Sequence, residues 1–231
     1  MIVIRYADDT IVGFQHEEDA RHFLDDLRAR LATFELELHP EITRLIPFGR
    51  HANADRRDAA TGRLGTFDFL GFTHISATSQ GGKFLLKRQT MRKRMRAKLA
   101  EIKEEMRHRL HQRIAEQGAW LKSVVAGYFA YHAVPTNARG ISAFRYHTIQ
   151  MWLKSLRRRS QRHNMPWERM NRIIDAWIPP AVIRHPWPNQ RFDVKHPRQE
   201  PSALAAHARI WARGRGVSRV PTATGDILTL R

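Results

Sequence analysis

The charge of this chain changes character at a single point. Up to Phe84 it holds 10 basic and 13 acidic side chains, and beyond it, to Arg231, 30 basic and 9 acidic. The formal net charge of +18 is thus the sum of a part at −3 and a part at +21. A part carrying +21 repels itself unless a polyanion meets it, which points to nucleic acid or an anionic membrane surface. Trp and Tyr are interspersed with the basic residues and no lipidation pattern is read, so nucleic acid is favoured and a membrane partner is not expected. A solvated basic surface without a partner is the bland alternative. With 231 residues and 42% hydrophobic content, the chain can bury a core in one domain or two small ones. No run approaches 18 apolar residues, so no transmembrane helix is expected, and no secretory leader is read. The absence of Cys excludes disulfides, Cys-ligated zinc and thiol nucleophiles, and fits a cytoplasmic protein.

The two parts also differ in periodicity. Residues 2–5 and 10–14 are β-rich runs around Tyr6-Ala7-Asp8-Asp9, the pattern of a hairpin. Ala20, Phe23, Leu24, Leu27, Leu31 and Phe34 recur at helical spacing over residues 17–34, behind an acidic first turn. Leu36–His39 and Thr43–Phe48 read as strands around Pro40, residues 49–66 as a loop, and Phe67–Ile75 with Lys83–Leu86 as a strand pair turned by Gly81-Gly82. Helices are predicted over Thr90–His111, Gly118–His132, Ile141–Arg159 and from Pro166 to Trp177. The third should bury Ile141, Phe144, Thr148, Ile149, Trp152, Leu153 and Leu156. Six of the eleven prolines lie in residues 179–201, so that stretch is expected to be extended and irregular, and residues 202–231 give only weak signals.

Adjacent carboxylates in a hairpin turn suit a divalent metal with hard oxygen ligands and positions left for substrate phosphates. Asp8 can lean toward such a site, with Asp9 a second ligand or an orienting group. On the dipeptide alone, Asp-Asp as a plain turn former is the simpler reading.

The wider context adds to this. Ile4-Arg5-Tyr6-Ala7-Asp8-Asp9-Thr10-Ile11-Val12-Gly13-Phe14 resembles the palm motif of reverse transcriptases. Leu36–Glu41 with Thr43–Phe48, and then Phe67-Asp68-Phe69-Leu70-Gly71-Phe72, look like the blocks that follow it. Gly127–Tyr131, Trp152-Leu153, Leu156–Ser160, Met165-Pro166-Trp167 and the stretch from Arg184 to Pro201 are similar to the thumb, or maturase, and C-terminal regions of bacterial group II intron proteins. These blocks come in family order over nearly the whole chain.

The resemblance implies an α+β fold: a partial reverse-transcriptase palm of antiparallel strands plus helix over residues 1–86, an all-helical thumb/maturase domain over 87–178, and a Pro-rich extension over 179–231. It implies RNA-directed DNA polymerase chemistry, a nucleotidyl transfer at two Mg²⁺ ions, together with RNA binding that assists splicing of a mobile group II intron. It makes Asp8 and Asp9 the catalytic metal ligands and sets Tyr6 and Ala7 beside primer and nucleotide. Intron RNA, and a DNA target or primer, are the implied partners. Family palms draw a third aspartate from an earlier strand, whereas here only Met1–Arg5 precede Tyr6. The expectation is therefore a truncated protein that does not polymerise alone and that self-associates through an exposed palm edge at Met1–Arg5. Completion by a separate N-terminal half, giving an active polymerase, and a non-functional remnant are the alternatives. Asp68 lies in the later block and is not taken as a substitute ligand.

Two basic clusters are the expected RNA contacts. The first is Lys87, Arg88, Arg92, Lys93, Arg94, Arg96 and Lys98; the second is Lys154, Arg157, Arg158, Arg159 and Arg162. Tyr128, Tyr131, Tyr146 and Trp152 are candidates to stack on bases, although Trp152 falls on the apolar stripe, where a core role is favoured. His108 and His111, spaced i,i+3, have no evident third ligand, and metal binding is not expected there.

Overall fold

The computed structural model describes residues 1–7, 9–39, 43–49, 65–159, 165–188 and 190, and the backbone of 225–230. Among them are five α-helices and two small antiparallel sheets, a mixed α/β chain as expected. The chain divides into two compact units: Met1–Phe69 with His74–Leu86 and Pro188–Arg231, and Leu70–Thr73 with Lys87–Trp187.

In the first unit β1 (Ile2–Tyr6) and β2 (Asp9–Gly13) pair antiparallel, with Tyr6 opposite Asp9 and Ile2 opposite Gly13. Only two residues join them, and Ala7 takes φ 54°, the positive value that two-residue hairpin turns demand. Helix α1 (Glu17–Ala32) opens on Glu17, Glu18 and Asp19. It lays Ala20, Phe23 and Leu24 against Val12 and Phe14 of the β2 strand and its end, with the Phe14 and Phe23 rings 5.3 Å apart.

The predicted stripe overruns the helix. Leu36 N–H bonds to Leu31 O and Glu35 N–H to Ala32 O, with Glu35 at φ 57°. This is a Schellman stop, with Glu where Gly is usual. Phe34 and Leu36 are left exposed, and Leu36–His39 is not the predicted strand. The residue that should have begun that strand is already tied back to the helix.

Strand β3 (Arg44–Phe48) forms as predicted, and β7 (Gly225–Leu230) lies between it and β2, in the order β1-β2-β7-β3. Pro47 is tolerated because β3 is an edge strand, where one side of the backbone needs no donor. β7 departs from the irregular structure expected beyond residue 179. Its partners are far away in sequence, and no local signal marks them. At the other edge, β1 has no outer partner strand among the described residues, and Val3, Ile4 and Tyr6 are exposed. The expected association would attach to this edge.

The second sheet has the order β4 (Thr66–Phe69), β5 (Phe72–Thr78), β6 (Phe84–Thr90). The predicted single strand Phe67–Ile75 is broken by Leu70 at φ 47° and Gly71 at φ 80°, a two-residue hairpin turn. A positive φ is costly for Leu. The turn is held by Tyr131, whose hydroxyl donates to Leu70 O at 2.6 Å, and by Met91 N–H to Gly71 O at 3.1 Å. The β5–β6 turn is the predicted one, with Gly82 at φ 73° and Ser79 N–H bonded to Lys83 O. In the first unit Phe67 stacks on His74 at 4.8 Å and meets Phe48 edge-on at 5.0 Å.

The second unit is built from α2 (Arg92–His108), α3 (Ile114–His132), α4 (Ala138–Arg158) and α5 (Trp167–Trp177). α3 starts a turn earlier than predicted because the Glu116 carboxylate accepts the Arg113 N–H at 3.2 Å. All seven predicted α4 residues are buried, packed with Ile102, Met106, Leu121, Val125 and Phe129. Trp152 is fully buried and donates from Nε1 to Gln117 Oε1 at 2.9 Å, while Gln117 Nε2 donates to Arg109 O at 2.6 Å. Gly118 has to be small, since a Cβ there would lie 2.5 Å from the Trp177 ring. Asn137, also buried, joins β6 to the start of α4: its amide donates to Thr90 Oγ1 and His132 O, each at 2.8 Å, and accepts Thr90 N–H at 3.0 Å. From Pro179 to Trp187 the segment after α5 has no regular secondary structure, and Arg184 and His185 N–H are both bonded to Ala133 O.

Tyr128 lies between the Phe144 ring at 3.5 Å and the His132 ring at 4.0 Å. Burial pushes its phenol up to about 12. Burial also lowers the His132 pKa; the bond to Tyr128 O opposes this and the Arg94 charge adds to it. The unfolded chain therefore takes up the proton more readily than the folded one. Stability should be full above the ordinary value of 6.5 and be lost as pH falls from there toward the lowered folded value. Chemical denaturation between about pH 7 and 5 should show this slope, and His132→Asn, which keeps a donor for Tyr128 O, should flatten it. An identical slope in the variant would place the effect elsewhere.

Candidate nucleic-acid interface

The hairpin tip carries Tyr6 and Ala7, both exposed, and Asp9, partly buried and paired across the strands with Tyr6. Asp8 lies outside the described residues. Asp68 is exposed on β4. Among the described residues no three His, Asp or Glu gather to hold a metal ion. Of the two carboxylates expected to hold Mg²⁺, Asp9 is the one among the described residues. His108 ends α2 and stands 3.8 Å from Glu104 Oε1, whereas His111 lies beyond the helix, so the two do not share a helical face.

The basic clusters fall on the second unit, and their members differ in what already engages them. Arg92, Lys93, Arg94 and Arg96 belong to the first turns of α2, without salt bridges among the described residues; all but Met95 in that stretch are exposed. Lys98 is paired with Glu101 at 2.7 Å. Lys87 and Arg88 are partly buried on β6, where Arg88 N–H donates to Thr136 Oγ1 at 2.8 Å. At the end of α4, Lys154 and Arg158 are exposed. Arg157 donates to Met165 O at 3.1 Å through Nη2, and Arg159 to Gln112 O. The second bond ties α4 to the α2–α3 connection, a structural duty for a residue expected to face RNA. Arg162 lies outside the described residues.

Among the aromatic candidates, Trp152 and Tyr128 are core, while Tyr131 and Tyr146 are 49% and 59% exposed. The Tyr131 ring also stacks on Phe72 at 5.5 Å, and its hydroxyl holds the Leu70 turn. Tyr146 is the freer platform.

Sequence reasoning misses a cleft of about 510 Å³ between α2 and α4, lined by Lys103, Met106, Arg107, Leu110, Met151, Lys154, Ser155 and Arg158. Each side supplies four residues at i, i+3, i+4 and i+7, the spacing of a single helical face, with Leu110 just past the end of α2. Met106, Leu110 and Met151 are its apolar residues, and no acidic side chain lines it. The repeated spacing is the available signal; Lys103 and Arg107 escape it because glutamates separate them from the first cluster.

Among the described residues no helix is long and apolar enough to cross a membrane. No family model, no curated protein and no solved structure matches the chain.

Proposed function

We propose that the chain is an RNA-binding protein of the group II intron reverse transcriptase/maturase kind, with the helical unit as its RNA-binding thumb and the β1–β2 unit as palm. The observation that carries this reading is the set of exposed cations on α2 and α4, in a unit whose core is complete without them. Such cations contribute little to stability by themselves and are suited to phosphates, where shape rather than base sequence is read. The ordered sequence blocks add the choice of intron RNA over other polyanions. Under this reading the chain binds intron RNA and favours its spliced fold.

RNA-directed DNA polymerisation is the second reading, favoured by the placing of Tyr6 and Asp9 at a hairpin tip. The resemblance calls for a further aspartate from an earlier strand, so the chain alone is the critical case. The chain alone, with a primer annealed to an RNA template, deoxynucleotides and Mg²⁺, should give no extension while still binding the RNA in a gel-shift assay. Template-dependent extension lost in Asp9→Asn would make the polymerase the primary function. Failure to bind any RNA would remove both readings.

A further inference from the structure

We infer that the α2–α4 cleft holds an unpaired nucleotide of the bound RNA, with its base against Met106, Leu110 and Met151 and its flanking phosphates on Lys103, Lys154 and Arg158. The inference rests on the RNA-binding reading and deepens it by naming what part of an RNA the site would take.

Three observations converge. The volume of about 510 Å³ lies in the range of small-ligand sites and is too confined for a helix of RNA. The lining is divided by chemistry, with apolar Met and Leu between cations and a single hydroxyl at Ser155. Polarizable thioethers make an adaptable surface for a flat ring. The charge is all of one sign: Arg107 is paired with Glu104 at 2.7 Å, but Lys103, Lys154 and Arg158 have no salt bridge among the described residues. Arg107 and Arg158 also sit in the last turns of their helices, where cations favour the free carbonyls. Lys103 and Lys154 stand one turn further in. A base attached to phosphates matches an apolar floor with a cationic rim. A continuous duplex keeps its bases stacked inside and cannot use the floor.

The test compares one RNA hairpin with the same hairpin carrying a single bulged nucleotide, so that the two differ by one unpaired base. The wild-type chain should prefer the bulged RNA by about tenfold, as the stacking of one base allows. Met151→Trp, which fills the cleft, should abolish the preference while leaving duplex affinity unchanged; Ser155→Gln is a second filling variant, and thermal melts would establish that each folds. Lys103→Ala with Lys154→Ala should weaken the bulged RNA more than the duplex. Equal wild-type affinity for both RNAs, or a preference that survives both filling variants, would overturn the cleft assignment and leave RNA binding standing. Binding of neither RNA would overturn the RNA reading itself. Displacement of the bulged RNA by an acidic peptide of equal charge, but not by an unrelated single strand, would also overturn it in favour of a protein ligand.

Discussion

Replacing Trp152 by alanine should unfold the helical unit or leave it near the limit of stability. Removing a fully buried Trp typically costs about 3–5 kcal/mol. Gln117 Oε1 would lose its donor in the same interior, a further cost of about 1–3 kcal/mol. Domains are stable by only about 5–15 kcal/mol, so the sum takes most of the margin. Trp152→Phe keeps most of the volume and loses the hydrogen bond, and should fall between the two. Urea denaturation followed by circular dichroism would measure both. A Trp152→Ala protein within about 1 kcal/mol of wild type would contradict the burial of this ring at the centre of the unit.

The second large effect is on RNA affinity. Arg92, Lys93, Arg96, Lys103, Lys154 and Arg158 form no salt bridge among the described residues, so each can meet a phosphate without breaking an internal pair. Contacts of roughly that number lose about a thousandfold in affinity between 50 and 200 mM salt. Lys154→Ala with Arg158→Ala should lower the slope of log affinity against log salt by about two. Arg159→Ala should act differently, weakening the fold through the lost bond to Gln112 O more than it changes the slope. Fluorescence anisotropy across a salt series separates these outcomes. An affinity independent of salt would end the electrostatic account.

The helices are legible in the sequence because burial on one side of a helix leaves a period. Every residue from Ile141 to Leu156 assigned to the core by that period is in it. The first hairpin is legible for the same kind of reason, as short β-rich runs frame a turn. The Leu70–Gly71 turn is not, because an apolar Leu at positive φ hides inside an apolar run and is secured by Tyr131, 61 residues away. The Schellman stop after α1 stays hidden because Glu35 occupies the place where a Gly would have announced it. For the candidate interface, composition locates the basic helices but does not distinguish a cation facing water from one tied to a carbonyl. Arg158 and Arg159 are neighbours with opposite fates. The cleft escapes notice because Lys and Met at helical spacing look like an ordinary amphipathic face until two such faces fail to close on each other.

The position of β7 between β2 and β3 sets an order of events during synthesis. A ribosome delivers β2 and β3 early, then the whole helical unit, and only then the strand that joins them. At ordinary elongation rates the interval is on the order of ten seconds. Helices α2 to α5 rely on contacts near in sequence and can form within that time, while the first sheet waits with two open edges. The nascent chain is therefore most prone to mispairing after its basic unit has already folded.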